Sequence, residues 1–220
     1  MKISKYIHSC LLFEQDGHKL LFDPGSFTFA DGTLKPEVFA DVDSIVITHI
    51  HADHLDVDNL KKIVALSGAN IYTNMEVGTT IQKSGLNYNL IEEGVYTVGP
   101  FKLEAIPVVH EPLLNAPIPQ MTGFLINDKV LHPVDSMEDK LATNYAGVEL
   151  LLLVTMAPFT NELRVASFAD KIKPKRILPV HDGFAKPFFV KSRFQNYAKY
   201  FAQSGIEFIE VYEPGDSVTV

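Results

Sequence analysis

Short apolar runs separated by turn residues dominate the first quarter of the chain. They alternate between apolar and polar positions or run apolar throughout, which predicts β-strands at Lys2–His8, Cys10–Glu14, Lys19–Asp23 and Ser44–Thr48. The sequence Gln-Asp-Gly-His at 15–18 is typical of a hairpin turn between the second and third strands. Pro24 to Pro36 has little periodicity and contains two glycines and two prolines, so we expect a loop there.

The rest of the chain alternates between strand-like runs and segments with helical spacing. Helices are predicted at Val57–Leu66, Glu76–Ser84, Glu162–Ile172 and Pro187–Gln203. Strands are predicted at Asn70–Thr73, Val95–Val98, Lys102–Val109, Gly123–Ile126, Lys129–Leu131, Leu150–Thr155, Arg176–Val180, Ile206–Tyr212 and Ser217–Val220. The strands form two groups, each followed by helices, with no linker or repeat between them. This order predicts two sheets packed face to face with helices outside.

Composition restricts the class of protein further. A chain of 220 residues that is 46% hydrophobic can bury one substantial core, so we expect a single domain over 1–220. The net charge of −8 argues against a large phosphate-binding surface, and nucleic acid is not an expected partner. The single cysteine, Cys10, allows no internal disulfide and is expected to be buried.

No targeting or membrane segment is predicted. The N-terminus lacks the charged-then-apolar signature of a secretory signal. Leu150–Met156, the strongest apolar run, is far shorter than the roughly 20 residues that cross a bilayer. We therefore expect a cytoplasmic protein with no membrane contact, whereas a homo-oligomer is left open by the surface pattern.

A cluster of metal-ligand residues follows the strand at Ser44–Thr48. The chain places His49, His51, Asp53 and His54 within six residues. Residues two apart in an extended segment point the same way, so His49 and His51 can converge on one ion. Asp53 and His54 come where the chain turns and can face a second ion. Imidazoles and carboxylates suit zinc and related first-row metals, so this stretch predicts a metal site.

The pattern His-x-His-x-Asp-His after an apolar strand resembles the metallo-β-lactamase superfamily. Further residues continue the resemblance in the family's chain order, each after a strand-like run: His110, Asp135 and His181. The opening Met-Lys-Ile-Ser-Lys-Tyr-Ile-His-Ser-Cys and the later Leu-Leu-Phe-Asp-Pro-Gly at 20–25 look like the compact bacterial branch of lactonase-like metal-dependent hydrolases. The resemblance covers essentially the whole chain. It implies a four-layer αββα sandwich in the α/β class, with the site at one edge between two mixed sheets.

The resemblance also implies an activity and a set of ligands. One ion would be held by His49, His51 and His110, and the other by Asp53, His54 and His181, with Asp135 bridging them. Two divalent ions about 3.5–4 Å apart can share a water molecule and lower its pKa, which would make hydroxide available to attack a small ester, lactone or phosphoester. Asp53 is the predicted catalytic residue, because it can orient that hydroxide or move its proton. Zinc is the first expectation, with manganese, iron and nickel as alternatives.

Several further residues lie near the predicted ligands in sequence or in the family's arrangement. Asp23 is expected to hold a ligand histidine through its second ring nitrogen. His8, preceded by Ile7 where the family has glycine, is either a pocket residue or a buried structural histidine. The family's Gly-Asp-Thr becomes Val134-Asp135-Ser136, which predicts a tighter turn or a displaced carboxylate. Two histidines are expected outside the site: His132 as a structural residue and His18 as a solvated turn residue.

Substrate contacts are predicted from the segments that flank the site in this arrangement, which are Gly25–Leu34, Glu111–Met121 and Asp182–Phe188. The second is rich in proline and apolar residues and suits a stiff lid over a small-molecule substrate. An apolar wall is expected from Phe27, Phe29 and Phe184 unless they pack in the core. Lys186 can pair with an anionic group or be solvated.

Other functions stay open at this point. Related nucleases or phosphodiesterases that act on RNA or nucleotides carry the same ligands, but usually add a basic arm or an inserted nucleic-acid-binding domain. Flavodiiron oxidoreductases of this fold generally place Glu where His51 stands. A non-catalytic binding or regulatory protein is the alternative from another class, favoured by the departures at Ile7 and Val134.

Overall fold

Two seven-stranded sheets form the framework of the computed structural model, which describes residues 1–220. The first sheet has the order β14-β1-β2-β3-β4-β5-β6 and contains β1 Lys2–Lys5, β2 Leu11–Gln15, β3 His18–Phe22, β4 Ser44–Ile47, β5 Asn70–Thr73, β6 Asn89–Leu90 and β14 Asp216–Thr219. The second has the order β13-β12-β11-β10-β9-β8-β7 and contains β7 Gly94–Val98, β8 Phe101–Val109, β9 Gln120–Ile126, β10 Val130–His132, β11 Leu150–Val154, β12 Arg176–Val180 and β13 Glu207–Phe208.

Each sheet is half antiparallel and half parallel. In the first sheet, β14 to β3 pair antiparallel, and β3 to β6 pair parallel. In the second sheet, β7 to β10 pair antiparallel, and β10 to β13 pair parallel. Parallel strands need crossover connections, and each of the six contains one helix: α1 Ser26–Phe29, α2 Val57–Ser67, α3 Met75–Gln82, α4 Asp139–Tyr145, α5 Glu162–Ile172 and α6 Pro187–Ala202.

Alternation along the strands sorts side chains into two apolar clusters. In β2 and β3, Phe13 and Phe22 enter a cluster of 43 buried residues shared by both sheets, whereas Leu12 and Leu21 enter a second cluster of 15. The second cluster lies under α2 and α3, and includes Leu60 from α2. Helices α4, α5 and α6 bury their apolar faces in the larger cluster. The layers are therefore α, β, β, α, and the predicted four-layer αββα sandwich is confirmed.

Most predicted elements are present, with three differences near the chain start. The first strand ends at Lys5, not His8, because the Tyr6 N–H donates to the Cys10 carbonyl and closes a turn. The segment predicted as a loop contains α1 and a 3₁₀ turn at Pro36–Phe39. The histidine predicted as solvated, His18, begins β3, is half-buried and bonds the Ser44 hydroxyl at 3.1 Å. Local sequence did not show this tertiary contact.

Two further predictions concern burial and length. Cys10 is fully buried and unpaired, as its apolar neighbours indicated. Burial also raises the pKa of its thiol above the usual range. No helix in the chain combines the length and the apolar character that crossing a membrane requires.

Candidate metal centre

Four strand ends deliver the predicted metal-ligand residues to one edge between the sheets. His49 follows β4 of the first sheet, and the other three follow strands of the second sheet, His110 after β8, Asp135 after β10 and His181 after β12. In the second sheet, β8, β10 and β12 run in the same direction, so their carboxyl ends lie at the same edge, where the first sheet brings His49. The seven predicted ligands meet there although they span more than 130 positions of chain.

Two groups of donor atoms form within the cluster. One contains His49, His51, His110 and Asp135, and the other contains His8, Asp53, His54 and His181; within each group the donor atoms lie within 4.8 Å of one another. This division matches the predicted one, with His8 added. Asp135 Oδ2 lies between the groups: it is 3.6 Å from His49 Nε2, 3.4 Å from His54 Nε2, 3.3 Å from His110 Nε2 and 3.5 Å from His181 Nε2.

The outer ring nitrogens of the histidines are occupied by hydrogen bonds. His110 Nδ1–H donates to the Glu111 carbonyl at 2.5 Å, and His181 Nδ1–H donates to the Met156 carbonyl at 2.7 Å. His54 Nδ1–H donates to Asp23 Oδ2 at 2.8 Å. A proton fixed on Nδ1 leaves the Nε2 lone pair directed inward, as ligation of a cation requires.

Asp23 organises more than one ligand. It is fully buried; its Oδ1 accepts the Thr48 N–H at 2.8 Å, and its Oδ2 accepts the Thr48 hydroxyl at 2.7 Å. The Thr48 hydroxyl proton is thereby used, so its oxygen is the acceptor for His49 Nδ1–H at 3.1 Å. Asp23 thus sets the tautomer of His54 directly and that of His49 through Thr48.

His8 contacts the predicted catalytic carboxylate. Its Nδ1 accepts the Gly183 N–H at 3.1 Å, so Nε2 carries the proton and donates to Asp53 Oδ2 at 3.0 Å. A Cβ added at Gly183 would lie 2.8 Å from the His8 Cβ, which explains glycine at that position. His8 is itself fully buried and does not line the cleft beside the cluster, so it is not a pocket residue, and its hydrogen bond holds Asp53 in position.

Three residues that carry or hold the ligands adopt left-handed backbone conformations. The φ angles are 45° at Asp23, 66° at His8 and 69° at His181. Such strain in residues other than glycine collects at functional sites, where the surrounding contacts impose it. The same conformation occurs at Val134, with a φ of 54°. Val134 therefore has a backbone conformation that favours glycine, and Asp135 Oδ2 still lies within 3.3–3.6 Å of four histidine Nε2 atoms.

Burial and neighbouring charges shift the pKa values of the clustered side chains. Burial and the neighbouring histidines lower the pKa of His49 and His51. Burial opposes charge on His181 as well, but the Asp135 and Asp53 carboxylates outweigh it and raise its pKa to about 9. Asp135 itself has a pKa well below the usual range because His181 and His54 face it. The Asp135 and Asp53 carboxylates therefore favour positive charge on the groups around them, whether protons or metal cations.

Unsatisfied atoms test whether metal ions fit. His54 Nε2, His181 Nε2 and Asp135 Oδ1 are buried and make no hydrogen bond. Buried polar atoms rarely lack a partner, and the two Nε2 atoms face Asp135 Oδ2 at 3.4 and 3.5 Å, inside the cluster. The donors are imidazole nitrogens and carboxylate oxygens, the set that zinc and related metals bind. The residues present fit two ions.

Four supporting contacts were not predicted from the sequence. Lys5 and Asp182, both buried, form an ion pair at 2.8 Å beside His181. Glu111 bonds the Met137 N–H and Arg164, and its own N–H donates to the Asp135 carbonyl at 2.9 Å. The sequence could have pointed to these contacts only if it had shown that Lys5, Glu111 and Asp182 are buried. The local pattern around them does not show burial.

The predicted substrate residues separate into two groups. Phe27 and Phe184 border the cleft beside the cluster, with Asp53 and His181. Phe29 instead packs against Phe39 in the smaller apolar cluster, at 6.3 Å between ring centroids. Lys186 is exposed at the start of α6 and does not line this cleft. His132 is buried behind the site against Phe22, away from both donor groups.

The family follows from a match over most of the chain. Residues 2–181 match the family model described as the beta-lactamase superfamily domain. This chain belongs to the metallo-β-lactamase superfamily. A curated member, a UPF0173 metal-dependent hydrolase of Pyrococcus horikoshii, is 25% identical over 191 residues, which cover 80% of this chain and 83% of the relative.

Solved structures of the superfamily show the same fold. A metallo hydrolase of Ignicoccus hospitalis superposes with a TM-score of 0.71 at 21% identity, covering 99% of this chain and 97% of that one. The metallo-beta-lactamase fold protein YhfI of Bacillus subtilis gives a TM-score of 0.71 at 18% identity and covers 99% and 98% of the two chains. At these identities the likeness establishes the fold and leaves the reaction to the residues of the site.

Proposed function

We propose that this chain is a metal-dependent hydrolase that holds two divalent cations and cleaves a small ester, lactone or phosphoester. The observation that carries the proposal is the position of Asp135 Oδ2, within 3.3–3.6 Å of four inward-facing Nε2 atoms. A carboxylate so placed suits a ligand shared by two ions. Relatives named metal-dependent hydrolase and metallo hydrolase support the same conclusion.

Each ion would have its own set of ligands. His49, His51 and His110 would hold one, whereas Asp53, His54 and His181 would hold the other, and Asp135 would belong to both. Zinc is the metal we expect, and manganese, iron and nickel suit the same donors. When bound, the cations would lower the pKa of water to about 7 and polarise the substrate oxygen.

Asp53 is placed to handle the proton of the attacking water. It is the half-buried carboxylate of the site that borders the cleft, whereas Asp135 is almost fully buried. His8 Nε2–H fixes Asp53 Oδ2 on one side and leaves the other oxygen available to orient a water molecule. The neighbouring His181 imidazole, 3.3 Å away, and the hydrogen bond from His8 outweigh the effect of burial and keep the pKa of Asp53 low, so the carboxylate is ionised at neutral pH.

The alternatives receive no support from particular residues. Loss of chemistry was suggested by Ile7 and Val134, yet His8 and Asp135 occupy positions consistent with a working site. A nuclease would need cations free to hold a phosphate backbone, whereas Arg164 beside the cleft is paired with Glu111. The histidine at position 51 is unlike the Glu generally found in flavodiiron proteins.

Metal removal and restoration tests the proposal. Protein purified without chelator should contain close to two first-row metal ions per chain by elemental analysis. Chelator-stripped protein should lose turnover on generic esters or phosphodiesters, and zinc or manganese should restore it. A metal-free preparation as active as the loaded one would reject the hydrolase mechanism.

A pair of histidine variants provides the matched control. His110→Ala should reduce the metal content and abolish turnover, because His110 Nε2 faces Asp135 in the cluster. His18→Ala removes a histidine that bonds Ser44 outside the cluster and should retain both metals and activity. Equal metal content in the two variants would contradict the ligand assignment.

A further inference from the structure

We infer that the cleft beside the metal centre selects an uncharged acyl substrate with an apolar substituent, an ester or lactone, over phosphoesters and other anions. This inference rests on the proposed function, because the cleft is defined by its position against the proposed ligands. It narrows the substrate class, which neither the family nor the ligand set specifies.

The cleft has two lobes that share Asp53, Pro158 and His181. One lobe has a volume of about 420 Å³, and its other lining residues are Phe27, Ala157 and Phe184. The other has a volume of about 310 Å³ and is lined, apart from metal-site residues, by Ala52, Leu113, Ala116 and Phe159. These volumes suit a small molecule, and every lining residue outside the metal cluster is apolar.

Aromatic rings surround the proposed metal ligands on the cleft side. Phe27 lies 5.0 Å from His8 and 6.3 Å from Phe184, measured between ring centroids. On the opposite side, Phe159 lies 5.1 Å from His110 and 5.8 Å from His181. All three phenylalanines are partly exposed, and Phe184 is 51% exposed. Partly exposed rings grouped at a cleft provide contact area for an apolar group.

The basic residues bordering this region are each neutralised by a carboxylate. Lys5 is 2.8 Å from Asp182, which follows His181. Arg164 is paired with Glu111, which follows His110. Arg193 and Glu162 form a third pair at 2.7 Å. This pair lines a neighbouring cavity that shares Ala157 and Phe184 with the cleft.

Phosphoesters carry negative charge on their non-bridging oxygens, and proteins usually meet it with free Arg or Lys side chains. No Lys or Arg lines either lobe, whereas Asp53 lines both. Lys186, five residues after His181 in the sequence, forms no ion pair, and it is exposed outside the lobes. An uncharged acyl group needs no such cation from the protein and gains the aromatic contacts.

Ligand-detected saturation-transfer NMR on metal-free protein tests the walls without the ions. The probes are N-phenylbutyramide, an uncharged amide analogue of an ester, and phenyl phosphate. We expect transfer to the amide, weakened about fivefold to tenfold in Phe184→Ala and in Phe27→Ala, and no transfer to the phosphate. Phe188→Ala, a 73% exposed phenylalanine outside the cleft, is the matched control and should bind like the parent.

Three binding results would overturn the inference: no binding of the amide, amide binding that neither cleft variant weakens, or phenyl phosphate binding that Lys186→Ala abolishes. Turnover is measured separately on zinc-loaded protein with 4-nitrophenyl butyrate and bis(4-nitrophenyl) phosphate. Higher KM for the butyrate in Phe184→Ala, with the diester unaffected, supports the inference, and a diester preference overturns it. If the amide binds as expected but no substrate turns over with any metal, the proposed hydrolase function fails instead.

Discussion

Replacing Asp23 by asparagine should change the tautomer of the ligand histidine His54 while leaving the side chain in place. The side chains have the same shape, and asparagine tolerates the left-handed backbone found here, with a φ of 45°. The amide oxygen can still accept the Thr48 N–H that now bonds Oδ1 at 2.8 Å. The amide nitrogen, however, would replace the oxygen that accepts His54 Nδ1–H at 2.8 Å.

The consequence follows from the proton on the ring. An amide N–H facing Nδ1 favours the tautomer that carries its proton on Nε2, the atom needed for a metal ion. The lost hydrogen bond to a charged group is worth about 1.5–3 kcal/mol. Since about 1.4 kcal/mol is tenfold, we expect the affinity of the site containing His54 to fall about 10-fold to 100-fold.

Competition with a chromophoric chelator at pH 7.5 would measure both metal affinities. Asp23→Ala removes the acceptor without offering a competing N–H, so it should bind metal at least as well as Asp23→Asn despite its poorer shape. Asp43→Asn is the matched control, because Asp43 also accepts a backbone N–H, from Lys19 at 2.8 Å, outside the site. If Asp23→Asn kept both affinities within about threefold of the parent, the tautomer argument would be wrong.

Three other predictions concern stability. Lys5→Met should lower the free energy of unfolding by about 3–5 kcal/mol, or Tm by about 10 °C, because it leaves the buried Asp182 carboxylate unpaired. The double variant Lys5→Met with Asp182→Leu should recover most of this loss in thermal unfolding, and equal losses in the single and double variants would contradict the prediction. Metal-free protein should gain stability from pH 4 to 6.5, because burial lowers the pKa of His8 to about 4 and the unfolded state binds more protons in this range. It should lose stability from pH 6.5 to 9, because the pKa of His181 is raised to about 9 and the folded state there binds more protons than the unfolded state. Bound zinc should displace the His181 proton and remove the second limb, as unfolding followed by circular dichroism across pH would show. Val134→Gly should destabilise the protein less than Val134→Ala, the reverse of the usual order, because glycine relieves about 1 kcal/mol of left-handed backbone strain at a φ of 54° whereas alanine retains it. Chemical denaturation measures the stability of both variants, and a less stable glycine variant would show that the strain is absent.

The order of strands and helices was readable because local pattern reports burial. Successive apolar residues in β2 and β3 predicted strands, and the structure buries both faces, with Phe13 in one apolar cluster and Leu12 in the other. Short elements were missed for the same reason. In α1, Ser26–Phe29, there is too little sequence for a helical period, and the Ser26 N–H is bonded by the Ala52 carbonyl at 2.7 Å from another part of the chain. Gly25 belongs to this contact, because a Cβ there would meet the Asp53 carbonyl.

The sequence by itself determined which residues have metal chemistry, since His49, His51, Asp53 and His54 stand together after a buried strand. Only the tertiary structure decided how they are held. Whether His8 touches Asp53, whether Lys5 reaches Asp182 and whether Val134 can keep Asp135 in place depend on contacts between segments far apart in the chain. Side-chain type sets which bonds a residue can make, but partner, tautomer and pKa follow from packing, which local pattern does not contain.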